Sequence, residues 1–437
     1  MDAIVAPITP LLTSAVIVVR LSGDDLSRVL DFFTIDKLEF RKAIFCKYRG
    51  SELFDDVILT YFKAPNSFTG EDVIEVSFHG NPIIVSSFLK DMYSLGIRAA
   101  EPGEFSKRAF LNGKMDLAQS EAIAELINSK SKYSIQFSYK LLSGALRSKV
   151  DYLVERVINI GSVVEAFVEF PDEDLDPGNF TELFREIDVV VKDVSDLIKS
   201  YSVINHYKNG FSVVIAGKPN VGKSSLLNYL ISQERSIVSD IPGTTRDYIV
   251  EHADLDGVPI KLIDTAGIRA TSEKIESAGI EKSKELINNA DLVIDLFDAS
   301  SFTDEDRYLI EITEGKNRLL FVNKSDLLEN FPVEFDLLFS IKYNKNLDMI
   351  VPMIKSKLIP SDSDALSTGV MINERHRHLF SIFIDAMNKL KVALNRSDLD
   401  VATFEIGESL NILYEITGER YTEDILNTIF EKFCIGK

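Results

Sequence analysis

Residues 217–224, Gly217-Lys218-Pro219-Asn220-Val221-Gly222-Lys223-Ser224, follow the pattern G-x-x-x-x-G-K-[ST]. Glycines at the fixed positions let backbone N–H groups turn inward around phosphate oxygens. Lys223 then reaches the β- and γ-phosphates, and Ser224 offers its hydroxyl to Mg²⁺. The stretch Asn220, Val221, Gly222, Lys223, Ser224 and Ser225 is therefore assigned to a nucleotide. A plain glycine-rich turn is the bland alternative, and three further motifs in a fixed order weigh against it. Asp264-Thr265-Ala266-Gly267 brings a carboxylate for the Mg²⁺ shell and a glycine amide that can sense a γ-phosphate. Asn323-Lys324-Ser325-Asp326 brings a carboxylate that can accept from both N1–H and the 2-amino group of guanine. Adenine lacks that donor pair and would leave the carboxylate unpaired, so GTP is selected over ATP. Between them, Ser239-Asp240-Ile241-Pro242-Gly243-Thr244-Thr245 reads as a switch loop with Thr245 as a second Mg²⁺ ligand, and Ser340-Ile341-Lys342 as a guanine-side loop. The residue after the Asp-Thr-Ala-Gly motif is Ile268, which cannot polarise water as a glutamine would, so hydrolysis needs another device.

Short apolar runs must position these loops. Phe211–Ala216 leads into the glycine loop, Ser224–Ile231 has helical spacing, and Ile260–Ile263, Leu292–Phe297 and Leu319–Val322 read as strands. Their alternation with helical or loop segments predicts a parallel α/β sheet. Upstream, Ala15–Leu21, Asp56–Phe62 and Asp72–Phe78 read as strands, whereas Ala118–Ile127 and Lys149–Val168 carry helical spacing. After a polar stretch at Pro360–Gly369, Asn373–Ala393 and Thr403–Ile416 are helical again. The predicted fold is multidomain α/β and α. Residues 1–118 form an N-terminal α+β domain, 119–207 and 361–437 the halves of a discontinuous helical domain, and 208–360 an inserted P-loop domain.

The chain has 437 residues, with 48 Lys+Arg against 68 Asp+Glu and a net charge of −20, which argues against broad electrostatic binding to a polyanion. The four segments net −3, −6, −6 and −5, so none is basic. Two cysteines, Cys46 and Cys434, exclude a disulfide framework, and with five histidines they show no metal-ligand spacing. Asp2 stands where a secretory signal carries positive charge, and the apolar run Ala15–Val19 is too short to span a bilayer. A soluble, cytoplasmic protein with no membrane partner is expected.

Beyond the nucleotide motifs, the chain carries Ala64-Pro65-Asn66-Ser67-Phe68-Thr69-Gly70-Glu71-Asp72 through His79-Gly80, Pro102-Gly103-Glu104-Phe105-Ser106-Lys107-Arg108-Ala109-Phe110-Leu111-Asn112-Gly113-Lys114, and a terminal Phe433-Cys434-Ile435-Gly436-Lys437. With these it resembles, over nearly its whole length, the tRNA-modification GTPases called MnmE or TrmE. The resemblance implies an N-terminal domain that dimerises and binds a 5-formyltetrahydrofolate-type folate, a discontinuous helical domain, and an inserted Ras-like G domain. It also implies an activity. With the FAD/NADH-dependent flavoprotein MnmG, in a heterotetramer, such proteins add an aminomethyl or carboxymethylaminomethyl group to C5 of the wobble uridine of certain tRNAs, with methylene-tetrahydrofolate as the expected one-carbon donor.

Carried over by position, the resemblance implies folate contacts at Arg20, Glu75, Lys114 and Lys437. A pterin needs a carboxylate to accept from its amino group and N–H, and a glutamyl tail favours cations. Arg20 and Glu75 could equally be solvated strand residues. The resemblance also answers the missing glutamine. Paired G domains bind K⁺, held by the Asn220 side chain and by the loop around Ser239, Ile241 and Thr244, and this cation offsets charge between the phosphates. Glu276 maps onto the acid that orients water, although a solvated helix face is its ordinary role, and Arg269 steadies the switch. Cys434 reads either as a nucleophile or as a buried small thiol, and Cys46 as packing. The family's Gly/Arg-rich stretch after Thr-Pro is replaced here by Thr9-Pro10-Leu11-Leu12-Thr13-Ser14-Ala15; Asn81 stands where a second Gly is common, and Ile341 where Ala is. A GTPase switch in ribosome or RNA assembly is the alternative. That class carries a basic appendage after the G domain, and residues 361–437 net −5.

Overall fold

A computed structural model describes residues 2–35, 37–129, 131–169, 178–232, 250–264, 284–327, 331–359, 370 and 372–436. The chain divides into two compact units, one of residues 1–127, 139–195 and 372–437, the other of residues 128–138 and 196–371.

The first unit opens with six strands, β1 (Ile4–Pro7), β2 (Val16–Gly23), β3 (Ala43–Arg49), β4 (Phe54–Phe62), β5 (Asp72–His79) and β6 (Arg98–Ala99). They form one sheet in the order β3-β4-β5-β2-β1-β6, antiparallel except for the parallel β1–β6 pair. Alternation decides which face is covered: Ile17, Val19 and Leu21 of β2 and Val57 and Leu59 of β4 point inward. There they meet Tyr48, Phe78 and the α1 (Pro82–Ser94) residues Val85, Phe88 and Met92. Asn81, the departure from a family glycine, caps α1 by accepting from the Ile83 N–H at 2.9 Å, with Pro82 in the first turn. The altered segment before β2 is pinned to the same corner, since Ser14 N–H donates to the Gly80 carbonyl at 3.0 Å. A Cβ on Gly80 would lie 2.0 Å from the Ser14 carbonyl oxygen, so only glycine fits there.

The chain continues through α2 (Glu104–Leu111), α3 (Leu117–Asn128), α4 (Lys132–Leu142), α5 (Ala145–Glu169) and α6 (Gly178–Asn209). The buried stripe of α5, Leu146, Val150, Leu153, Val157, Ile160 and Val164, steps by three and four residues, as one face of a helix must.

The second unit is built on β7 (Phe211–Ala216), α7 (Lys223–Ser232), β8 (Val250–Leu255), β9 (Val258–Asp264), β10 (Leu292–Asp298), α8 (Asp304–Ile312), β11 (Arg318–Asn323), β12 (Leu337–Leu338) and α9 (Ile350–Leu358). Its sheet runs β12-β11-β10-β7-β9-β8. Five strands are parallel, and every residue of β10 is buried, as expected for the middle of such a sheet. The expectation of an all-parallel sheet is corrected at one edge, where β8 runs antiparallel to β9. The cause is the hairpin turn Asp256-Gly257, with φ of +48° and +93°, a conformation this dipeptide favours.

Three helices then rejoin the first unit: α10 (Glu374–Asn395), α11 (Leu399–Thr417) and α12 (Glu423–Phe430). α11 packs on α5 so closely that a Cβ on Gly161 would sit 3.2 Å from Ile406 Cγ2. The two sequence-separated helical halves therefore share one core.

Candidate functional site

The four parallel strands β9, β7, β10 and β11 end side by side, in the register Ile215 to Asp264 and Asp298 to Asn323. The phosphate loop, Asp264 and the Asn323–Asp326 motif therefore open on one edge of the sheet, where ligands of open α/β folds bind. The phosphate loop needs unusual backbone: φ is +155° at Gly217, +63° at Asn220 and +110° at Gly222. A Cβ on Gly217 would lie 2.4 Å from the Leu296 carbonyl oxygen, and one on Gly222 would lie 2.3 Å from Asn323 Nδ2. Both glycines thus serve close approach as well as conformation.

Asn323 ties the phosphate loop to the guanine motif. Its Nδ2 donates to the Val221 carbonyl at 2.9 Å, and its Oδ1 accepts from the backbone N–H groups of Lys324 at 2.8 Å and Ile341 at 3.4 Å. Asp326 is exposed, and Oδ1 of its carboxylate accepts from the buried Ser340 hydroxyl at 2.9 Å. Ser325 is held through its N–H to the Phe339 carbonyl at 3.0 Å. Ile341 and the exposed Lys342 complete the neighbouring loop. Lys223, buried in the first turn of α7, donates its ammonium to the Gly217 and Lys218 carbonyls at 2.6 and 2.8 Å. Beside it Ser224 and Ser225 are exposed, Val221 is buried, and Asn220 is exposed.

Sequence reasoning missed Asp298, at the end of β10. It takes an ion pair from Lys324 and accepts from the Ser300 N–H and hydroxyl at 2.9 and 2.7 Å. Burial pushes its carboxyl up, but the bonds from Lys324 and Ser300 outweigh that and leave it below the usual carboxylate range. A carboxylate closing a predicted strand next to the phosphate-loop strand was the available signal.

Ser239, Asp240, Ile241, Pro242, Gly243, Thr244, Thr245, Thr265, Ala266, Gly267, Arg269, Glu276 and Lys437 lie outside the described residues, as does the Pro360–Gly369 stretch. Asp264 is the last residue of β9.

In the first unit, Arg20 and Glu75 face each other across β2 and β5. Arg20 Nε donates to Glu75 Oε1 at 2.9 Å and Nη2 at 2.8 Å. The Arg20 guanidinium also lies 4.9 Å from the centre of the Phe68 ring and 5.5 Å from that of Phe105. The solvated-strand reading of this pair is thereby corrected: both side chains are only 15% and 26% exposed. Lys114 meets the other end of the same loop, with Nζ donating to the Pro65 carbonyl at 2.8 Å. The loop motifs are held by a buried charge network. Arg108 pairs with Glu71 at 3.1 Å, Glu104 at 2.9 Å and Asp2 at 2.8 Å, and Ser22 donates to Glu71 at 2.7 Å. Burial raises the Glu104 carboxyl, yet the hydrogen bond from Arg98 and its further partners leave it lowered.

The C-terminal motif packs against the same unit. A Cβ on Gly103 would lie 2.7 Å from the Phe430 carbonyl oxygen, and one on Gly436, whose φ is +96°, would lie 2.1 Å from the Pro7 carbonyl oxygen. Phe433 is buried, whereas Cys434 is exposed, which corrects its reading as a buried thiol. Cys46 is buried in the sheet core, and burial raises its thiol.

Residues 3–114 match the family described as GTP-binding protein TrmE N-terminus, and residues 117–434 match the MnmE helical domain. The chain is 37% identical to the tRNA modification GTPase MnmE of Caldicellulosiruptor saccharolyticus, covering 100% of this chain and 99% of that one. It is 38% identical to that of Aquifex aeolicus, with 100% of both chains covered. Among solved structures, Aquifex aeolicus Era bound to GDP and AlF4⁻ is 24% identical, covering 40% of this chain and 66% of that one at a TM-score of 0.27. Two family matches that together take in nearly every residue, and full-length relatives above a third identical, make this chain a member of the MnmE family of tRNA modification GTPases.

Proposed function

We propose that this GTP-hydrolysing enzyme of tRNA modification works with the flavoprotein MnmG to install an aminomethyl-type group on C5 of the wobble uridine. It acts in the cytoplasm, as a homodimer joined through residues 1–118 and within a heterotetramer. Among the described residues, no helix is long and apolar enough to cross a membrane. The observation that carries the reading is the Asn323 bridge, which joins the phosphate loop to the guanine motif in one site.

The chain's residues fit the groups this function needs. Ser224, exposed in the first turn of α7, and Thr245 would hold Mg²⁺. Asn220, turned out by its positive φ, would hold K⁺ together with Ser239, Ile241 and Thr244. The bound cations supply positive charge where negative charge develops on the phosphates. Lys223 shares that task, Glu276 orients water in place of the absent glutamine, and Arg269 steadies the loop. In the Asp264-Thr265-Ala266-Gly267 motif, the carboxylate would support the Mg²⁺ shell and the glycine amide would sense the γ-phosphate. Glu75, Arg20, Lys114 and Lys437 would hold the folate, the carboxylate taking the pterin donors and the cations the glutamyl tail. The folate supplies a one-carbon unit when bound. Cys434, exposed at the terminus, is accessible for a role beside that folate.

Nucleoside mass spectrometry on tRNA from cells lacking the protein tests the reading. Loss of the C5-modified wobble uridine is expected, and an unchanged level refutes it. GTP hydrolysis faster in K⁺ than in Na⁺ is the accompanying expectation for the purified chain, and equal rates would remove K⁺ from the mechanism.

A further inference from the structure

Lys218 occupies a position that the phosphate-loop pattern leaves open to any residue, and its side chain is nevertheless one of the most heavily bonded in the unit. Its ammonium lies 2.6 Å from Asp306 Oδ2, 3.0 Å from Thr303 Oγ1 and 3.1 Å from the Ser301 carbonyl oxygen. The lysine side chain is 16% exposed and that of Asp306 is 0% exposed. Asp306 is also the third residue of α8 and accepts from the Thr303 N–H at 2.7 Å and hydroxyl at 3.1 Å, a capping box around the helix start. Ordinary capping already satisfies that oxygen, so the lysine is an addition to the cap.

The bonds run on into the phosphate site. The Lys218 carbonyl accepts from the ammonium of Lys223, so the residue that grips Asp306 through its side chain grips the phosphate-binding lysine through its backbone. On the other flank the segment that begins at Asp298 holds Lys324 of the guanine motif. Residues 298–306 therefore hold both ends of the nucleotide site, through Lys324 at one and Lys218 at the other.

We propose that Lys218 is a positioning residue for nucleotide binding, fixing the first half of the phosphate loop to the start of α8. This rests on the assignment of residues 217–224 to the phosphates. In this pattern the loop backbone cradles the α- and β-phosphates that GTP and GDP share, so loosening it would weaken both nucleotides alike and leave the hydrolytic step at saturation unchanged.

The test uses the full-length protein, with equilibrium binding of fluorescently labelled GDP and of a labelled non-hydrolysable GTP analogue, and with steady-state hydrolysis. Lys218→Met is expected to raise both dissociation constants and KM by about ten-fold, with kcat within about two-fold of the parent. Lys218→Arg keeps the charge and should restore most of the affinity, and Thr303→Val, which keeps the ion pair, should fall between. If Lys218→Met does not fold, Thr303→Val and Lys218→Arg carry the comparison. Unchanged affinity in Lys218→Met or Thr303→Val overturns the proposal, as does a fall in kcat at saturating GTP. Lys223→Ala is the control for the site itself. Normal nucleotide binding there refutes the phosphate-loop assignment, whereas lost binding there with normal binding in Lys218→Met refutes only the positioning role.

Discussion

Asp295 sits in the middle of β10 with no exposed surface, and it is the last residue of β10 to pair with β7, opposite Ala216. Its Oδ2 accepts from the Thr313 hydroxyl at 2.6 Å, while Oδ1 is buried without a hydrogen-bond partner among the described residues. Burial raises the carboxyl, opposed by the Thr313 bond and the charge of Arg318, and the result is a pKa of about 6 against 3.8 in the unfolded chain. A folded pKa above the unfolded one means that the fold favours the neutral acid. That contribution is fully present below the unfolded value and is lost as pH rises through about 6. Above that pH the charged carboxylate costs about 3 kcal/mol, from a shift of roughly two units at 1.36 kcal/mol each. Asp295→Asn removes the titration while its side-chain oxygen can still accept from Thr313. The variant should therefore gain on the parent as pH rises, by about 1.5 kcal/mol between about pH 5 and pH 8. Urea unfolding of the full chain, followed by hydrogen exchange in peptides covering residues 292–298, isolates this unit from the other. A stability difference that stays constant with pH, or that moves in the parent's favour as pH rises, would refute the burial argument.

Asp326→Asn should weaken GTP by about 100- to 10,000-fold, since two charge-assisted bonds of roughly 1.5–3 kcal/mol each are lost, while a xanthine nucleotide gains affinity. Competition binding measures both, and unaltered GTP binding would remove Asp326 from base recognition. In the first unit, Arg375 donates to both oxygens of Glu121, at 2.8 and 3.0 Å, and to the carbonyls of Glu415 and Ile416. Glu121→Ala should lower stability by about 3–5 kcal/mol, and adding Arg375→Met should recover part of that loss. Additive effects in denaturant titrations would show that the pair is not coupled.

The parallel strands of the second unit were legible because each is a short apolar run closed by a motif, and Phe211–Ala216 emerges as a strand with those bounds. Helices with a buried stripe were legible too, as in α5, where the predicted Lys149–Val168 extends to Ala145–Glu169. What escaped had a physical cause. β3 hides because Phe45, Lys47 and Arg49 alternate outward with Cys46 and Tyr48 inward, and a cation-rich strand reads as a loop. β8 was missed although Asp256-Gly257 is a hairpin signal, because the surrounding α/β pattern favoured parallel strands. Within the candidate site, residues bound by sequence-local motifs could be named. The ion pairs of Asp298 and Asp306 could not, because their partners Lys324 and Lys218 lie 26 and 88 positions away and only folding brings them together; for Asp298 its place at a strand end was the one local sign.

The return of the chain into the helical unit shows why the insertion is tolerated. Ile372, buried, is followed by Asn373, whose side chain caps α10 by accepting from the His376 N–H at 2.9 Å. Within the same turn Arg375 and the buried His376 both reach Glu121 on α3, 254 and 255 positions earlier, and Arg375 also takes two carbonyls at the end of α11. Burial, joined by the neighbouring Arg375 charge, lowers the His376 ring pKa, although Glu121 pulls in the opposite direction. Fraying this turn would break the Glu121 pairings and both Arg375–carbonyl bonds together, at about 1.5–3 kcal/mol for each charge-assisted bond, so the helical core recloses after residue 371 with bonds of its own.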